Sequence, residues 1–168
     1  MSGLQNVKVI DLTQYVAGPA CCRLLGDLGA DVIKVEPFTG DEMRTQGMAW
    51  GLQFRTEFDD VAFDCASFNK RYISINLKSD EGIALMYKML ETADIFVTSL
   101  RDGALKRLGL DYETIHSKFP KLVFGQMRGY GEYGPMKDAK GFDATSFAAR
   151  SGFVHAIPQA NEHFEPGN

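Results

Sequence analysis

Two spacings of apolar residues alternate along the chain. Val7-Lys8-Val9-Ile10 is a short apolar run ending at Asp11. After the turn-like Ala17-Gly18-Pro19, residues Ala20, Leu24, Leu25 and Leu28 recur at helical spacing. Gly29 supplies a stop, and Asp31-Val32-Ile33-Lys34-Val35 is a second apolar run leading to Glu36. Strand, turn, helix and strand over Val7–Glu36 predict a right-handed βαβ unit with parallel strands. Pro19 suits the first helical turn, where the N–H it lacks would have no intrahelical partner.

The alternation resumes after a less regular stretch. Pro37 to Glu42 is turn-rich, and Met43 to Asp64 has few clean repeats; it predicts a long connection whose Trp50, Phe54, Phe58 and Phe63 pin a crossover to the body. Tyr72 to Leu77 alternates like a half-buried strand. Ser79 or Asp80 can then cap a helix with Ile83, Leu85, Met86, Met89 and Leu90 on its apolar side. Ile95–Thr98 reads as a strand, Ala104, Leu105 and Leu108 as a short helix stopped by Gly109, and Asp111 to Ile115 as another helical turn or two. A strand over Leu122–Met127, a glycine-rich loop over Arg128–Pro135 and a helix over Phe142–Arg150 follow. The fold class is α/β: a Rossmann-like, mostly parallel sheet flanked by helices.

In such folds ligands bind at the C-terminal ends of the strands. The loops holding Val16-Ala17, Leu77-Lys78, Ser99-Leu100 and Arg128-Gly129 sit there. Tyr15 to Pro19 brings one glycine to the first turn, so the Gly-x-Gly-x-x-Gly fingerprint of dinucleotide binding is absent and NAD is disfavoured. Glu36 alone reads as a strand cap in solvent.

Composition sharpens this. The 168 residues suit one well-buried domain, and a net charge of -4 disfavours general nucleic-acid binding. In an acidic chain, Lys70, Arg71, Lys78, Arg107, Arg128 and Lys140 near the strand ends suggest a phosphorylated ligand, because ammonium and guanidinium groups bond phosphate oxygens strongly. Cys21, Cys22 and Cys65 are too few and too awkwardly spaced for a zinc site or a disulfide framework; no metal is expected, and Cys21 and Cys22 read as helix packing residues. Without an apolar stretch of membrane-spanning length or a signal-peptide pattern, the reading is cytoplasmic, with no membrane partner. The last ten residues read as a loop leading onward, which makes a fragment of a longer polypeptide the expectation.

Several phrases carry a family resemblance: Leu12-Thr13 to Ala17-Gly18-Pro19-Ala20, Leu28 to Glu36, Asn69-Lys70-Arg71, Gly103 to Gly109 and Gly129 to Pro135. In this order they resemble the class III coenzyme A transferases of CaiB/BaiF type. The resemblance implies that residues 1–168 are the N-terminal part of a large CoA-binding α/β domain, with a small domain and C-terminal region not included, in a subunit that forms interlocked homodimers. It places CoA, a substrate rather than a permanent cofactor, against Val16, Ala17, Ile75, Leu77, Lys78, Ser99, Leu100, Arg107, Arg128 and Lys140. Family members often carry Asn-Phe where this chain has Ser99-Leu100.

The resemblance also implies the chemistry. An Asp carboxylate attacks an acyl-CoA thioester, and CoA passes through aspartyl-anhydride and aspartyl-CoA intermediates to a free carboxylic acid. That nucleophile is expected in a Gly-Asp motif beyond Asn168, leaving this chain inactive alone, with Asp143 as an accessory group or a helix cap. Residues Phe142–Gly152 look most like members from anaerobic bacteria acting on 2-hydroxy, aryl or bile acids. Two alternatives stand beside this one. An α-methylacyl-CoA racemase shares the fold, but its motif puts a basic His where Phe142 stands, and His155 and His163 fall elsewhere. The other is a non-catalytic nucleotide-binding or interaction module.

Overall fold

The computed structural model describes residues 3–49 and 61–153. Trp50, Phe54, Phe58, His155 and His163 lie outside them. Five strands, β1 (Lys8–Leu12), β2 (Asp31–Glu36), β3 (Arg71–Ser74), β4 (Ile95–Thr98) and β5 (Val123–Gln126), form one sheet in the order β3-β2-β1-β4-β5. Every pairing is parallel, so the mostly parallel sheet of the sequence reading is wholly parallel among the described residues. Chain order runs outward from β1 on one side, then returns to build the other half from β4.

Helices cover both faces, as parallel strands buried on both sides require. Ile10, Leu12, Val35 and Phe96 point to one face and pack with Met86 and Leu90 of α4 (Asp80–Glu91), Leu105 of α5 (Asp102–Leu108) and Ile115 of α6 (Tyr112–Lys118). Val9, Val32 and Val97 point the other way, onto Cys22 of α1 (Ala17–Asp27). Phe96 meets Phe124 edge to face at 5.4 Å between ring centres.

Local chemistry sets the ends of these elements. Ser79 caps α4 by accepting the Gly82 N–H at 3.1 Å. Asp111 caps α6 from the Thr114 N–H at 3.3 Å. Gly109 ends α5 with φ +67°, a conformation that costs an ordinary L-residue free energy.

Three expectations need correction. The buried side of α1 consists of Gly18, Pro19, Cys22 and Gly26, while Leu24 and Leu28 are exposed. Small residues win because the backbone comes close: a Cβ at Gly26 would stand 2.9 Å from Asn69 O. Second, the stretch read as a long connection holds two helices, α2 (Met43–Ala49) and α3 (Val61–Ser67), with Phe63 buried. Third, β3 stops at Ser74 rather than Leu77. Its neighbour among the described residues, β2, ends at Glu36 opposite Ser74, and a ladder bond runs on from Ile75 N–H to Glu36 O at 2.8 Å.

The first compact unit runs to Met127, and a second opens at Arg128. Within the second, Gly129 and Gly141 pack backbone to backbone, a Cβ at Gly129 falling 2.6 Å from Gly141 Cα. The predicted helix there is a wide π-type helix, Asp143–Ala149, and Asp143 is its first residue rather than its cap. Among the described residues no helix is long and apolar enough to cross a membrane. Nor do three or more His, Cys, Asp or Glu among them gather where they could hold a metal.

Candidate functional site

The strand order reverses between β1 and β4. This reversal is the topological switch point, the usual ligand position in doubly wound sheets. Val16 and Ala17 lie on one side, exposed, at the start of α1. The N-cap residue Val16 makes no side-chain cap bond and no acid lies in the first turn of that helix. Ser99 and Leu100 lie on the other side. The Gln14 N–H donates to Ser99 Oγ at 3.0 Å, and Gln126 Nε2 donates to Leu100 O at 2.9 Å and to Asp102 Oδ1 at 2.9 Å. Four of the predicted residues thus share this switch point, and α5 carries Arg107 exposed just beyond it.

Ile75, Leu77 and Lys78 follow β3, on the far side of β2 and β1. Three strand spacings separate the ends of β3 and β4, roughly 14 Å at about 4.8 Å each. A ligand touching both must be extended. Ile75 is buried against the core, Leu77 is half-buried and Lys78 is exposed, its N–H held by Asn76 Oδ1 at 3.1 Å. Arg128 and Lys140 belong to the second unit.

Two predicted cations are otherwise employed. Arg71 stands at the start of β3, the opposite end from the loops, and pairs there with Asp31 through two hydrogen bonds of 2.9 and 2.5 Å. The side chain of Lys70 is inaccessible and pairs with Asp11 at 2.9 Å. Glu36 is buried rather than solvated, accepting Arg44 Nε and Nη2 at 2.9 Å each. That carboxylate holds the Arg44 guanidinium above its ordinary pKa, and the guanidinium lies 3.8 Å over the Phe63 ring. A cavity of about 350 Å³ opens beside this pair, between Tyr72, Ser74 and Phe38. It borders the β3 end of the predicted site but contains none of the predicted residues.

Sequence reasoning missed a set of buried ions beneath the first loop. Lys34 and Asp41 pair at 2.8 Å, both inaccessible, and Lys34 Nζ also donates to Thr13 O at 2.8 Å. The signal was present, since a lysine between Ile33 and Val35 in a strand covered on both faces requires a partner. Tyr15 in that loop donates its hydroxyl to Glu42, which pushes the phenol pKa up.

Residues 4–166 match the sequence model of CoA-transferase family III. The chain belongs to this family. It is 43% identical over 154 residues to an (R)-2-hydroxy-4-methylpentanoate CoA-transferase of Clostridioides difficile, covering 92% of this chain and 38% of that protein. It is 47% identical over 147 residues to a cinnamoyl-CoA:phenyllactate CoA-transferase of Clostridium sporogenes, covering 88% and 35%. Among solved structures, a CaiB/BaiF family protein of Brucella suis superposes with a TM-score of 0.85 at 30% identity, covering 98% of this chain and 43% of that one. The chain therefore spans well under half the length of these family III relatives. The α/β architecture expected from the sequence is the architecture of this family.

Proposed function

We propose that residues 1–168 are the N-terminal part of the large CoA-binding domain of a family III CoA-transferase that moves CoA from an acyl-CoA thioester to a free carboxylic acid. The observation that supports this most is the switch point. Val16-Ala17 and Ser99-Leu100 face each other across the reversal of strand order, tied by the Gln14–Ser99 bond, in a chain that matches the family over nearly its whole length.

In this reading the extended CoA lies along the strand ends. Lys78 and Arg107 offer cations to its phosphates, and Ile75 and Leu77 back the β3 end. Arg128 and Lys140 enter by resemblance to the family alone. A carboxylate oxygen of an Asp beyond Asn168 attacks the thioester carbonyl and CoA leaves as thiolate, giving a mixed anhydride. The thiolate then attacks the aspartyl carbonyl, releases the donor acid and forms aspartyl-CoA. The acceptor carboxylate displaces CoA from that thioester, and the returning thiolate takes the acceptor acyl group while the Asp carboxylate is regenerated. The complete protein is a homodimer in this reading, and residues 1–168 alone carry no transferase activity.

The acceptor we propose is a 2-hydroxy acid, on the strength of the two clostridial relatives named for such acids. Incubating the complete protein with an acyl-CoA and a panel of 2-hydroxy, aryl and dicarboxylic acids, read by mass spectrometry, tests this. New 2-hydroxyacyl-CoA supports it; exchange of the α-proton without CoA transfer would establish the racemase instead. Hydroxylamine should inactivate the enzyme only when acyl-CoA is present.

A further inference from the structure

Four ionic side chains that this chemistry does not use, Asp11, Lys34, Asp41 and Lys70, are 0–1% exposed in two ion pairs. Their hydrogen bonds converge on one loop. Lys34 Nζ donates to Thr13 O at 2.8 Å, and Lys70 Nζ donates to Pro19 O at 2.7 Å. Asp11 Oδ1 accepts the Thr13 N–H at 3.0 Å, and Asp41 Oδ1 accepts the Tyr15 N–H at 3.3 Å. The loop from Thr13 to Pro19 is thus held at both ends and in the middle from beneath.

We propose that these two buried ion pairs are positioning residues: they set the backbone of the β1–α1 loop and, through it, the affinity for acyl-CoA. The inference rests on reading Val16-Ala17 as CoA contacts. Buried ion pairs are a poor way to stabilise a fold, because apolar residues of equal volume often do as well or better. Apolar residues could not, however, donate to two loop carbonyls or accept two loop amides. The loop also needs holding, since Tyr15 sits at φ +65°, a conformation a non-glycine residue keeps only where its surroundings over-determine it.

The test compares Lys34→Met/Asp41→Leu with Lys34→Met/Asp41→Asn in the complete protein. Each removes both charges together, so no lone ion stays buried, and only Asn keeps an acceptor for the Tyr15 N–H. Circular dichroism and melting establish that both fold. The Tyr15 amide should exchange with deuterium about tenfold faster in the Leu variant than in the Asn variant. KM for acyl-CoA should rise about tenfold with kcat within about twofold. Equal exchange at Tyr15, or faster exchange with KM unchanged, overturns the proposal. If the Leu variant does not fold, the Asn variant against wild type decides: it has lost the Lys34 bond to Thr13 O, so a raised KM supports the clamp and an unchanged KM overturns it. If the wild-type protein binds no acyl-CoA, the reading of the site fails, while Tyr15 exchange still decides the clamp.

Discussion

The Gln14 N–H and Ser99 Oγ, 85 residues apart in sequence, meet at 3.0 Å and join the loops that follow two neighbouring strands. Ser99→Ala removes the acceptor and leaves a half-buried amide without it. We expect a loss of about 1 kcal/mol in urea denaturation with an unchanged m value, together with a higher KM for acyl-CoA in the complete protein. A variant as stable as wild type would mean that water replaces the hydroxyl.

Lys78 and Arg107 are exposed and lie near opposite ends of the proposed CoA path. Changing either to Ala should raise the Kd for CoA by about tenfold, and each should flatten the dependence of binding on salt, since a charge–phosphate contact is screened by ions. Calorimetric titration at two ionic strengths checks both. Loss of affinity without any change in salt dependence would place these side chains away from the phosphates.

Gly82 and Gly103 lie early in two helices yet should respond oppositely to Ala. A Cβ at Gly82 would overlap the backbone carbonyl of Asn76, which can move only with the end of β3, whereas at Gly103 its nearest neighbour is Arg107 Nη1 at 3.6 Å. Gly82→Ala should therefore cost about 1–3 kcal/mol by overpacking. Gly103→Ala should stabilise by roughly 0.5–1 kcal/mol through helix propensity. Thermal melting of the two single variants distinguishes them by sign.

Asp111 caps α6, and its pKa is lowered in the folded state. Partial burial pushes the carboxyl up, but the hydrogen bonds from the Thr114 hydroxyl and amide, which favour the ionised form, outweigh it. A depressed folded pKa contributes stability above the unfolded value near 3.9, and that contribution fades as pH falls through the folded pKa. Asp111→Ala should cost about 1 kcal/mol at pH 7, with the gap from wild type narrowing below about pH 4. A gap that stays constant down to pH 3 would show that the cap does not depend on its charge.

What the sequence made legible follows from how local the cause was. Ile95–Thr98 forms β4 with the predicted bounds, because four apolar or β-branched residues between Asp94 and Ser99 leave little choice. The stop at Gly109 and the Ser79 cap are equally local. The buried side of α1 was not legible, because glycine and cysteine face the sheet only where another backbone comes close, and Asn69 lies 43 residues after Gly26. Lys70 read as a phosphate ligand for the same reason: its partner Asp11 lies 59 residues away. Of the candidate site, the strand-end loops were readable from periodicity, but the ions that hold the first loop were not.

The place of β1 bears on how the protein is made. Among the described strands it comes first in chain order yet lies in the middle of the sheet order β3-β2-β1-β4-β5, and β2 can dock on one side of it almost at once. On its other side its partner among the described residues is β4, complete only at Thr98, more than eighty residues later. Throughout that interval Val9 to Leu12 offers an unpaired apolar edge, the kind of surface on which nascent chains aggregate. Slowing elongation between Glu36 and Ile95 should lower the soluble yield, and chaperones that shield strand edges should restore it.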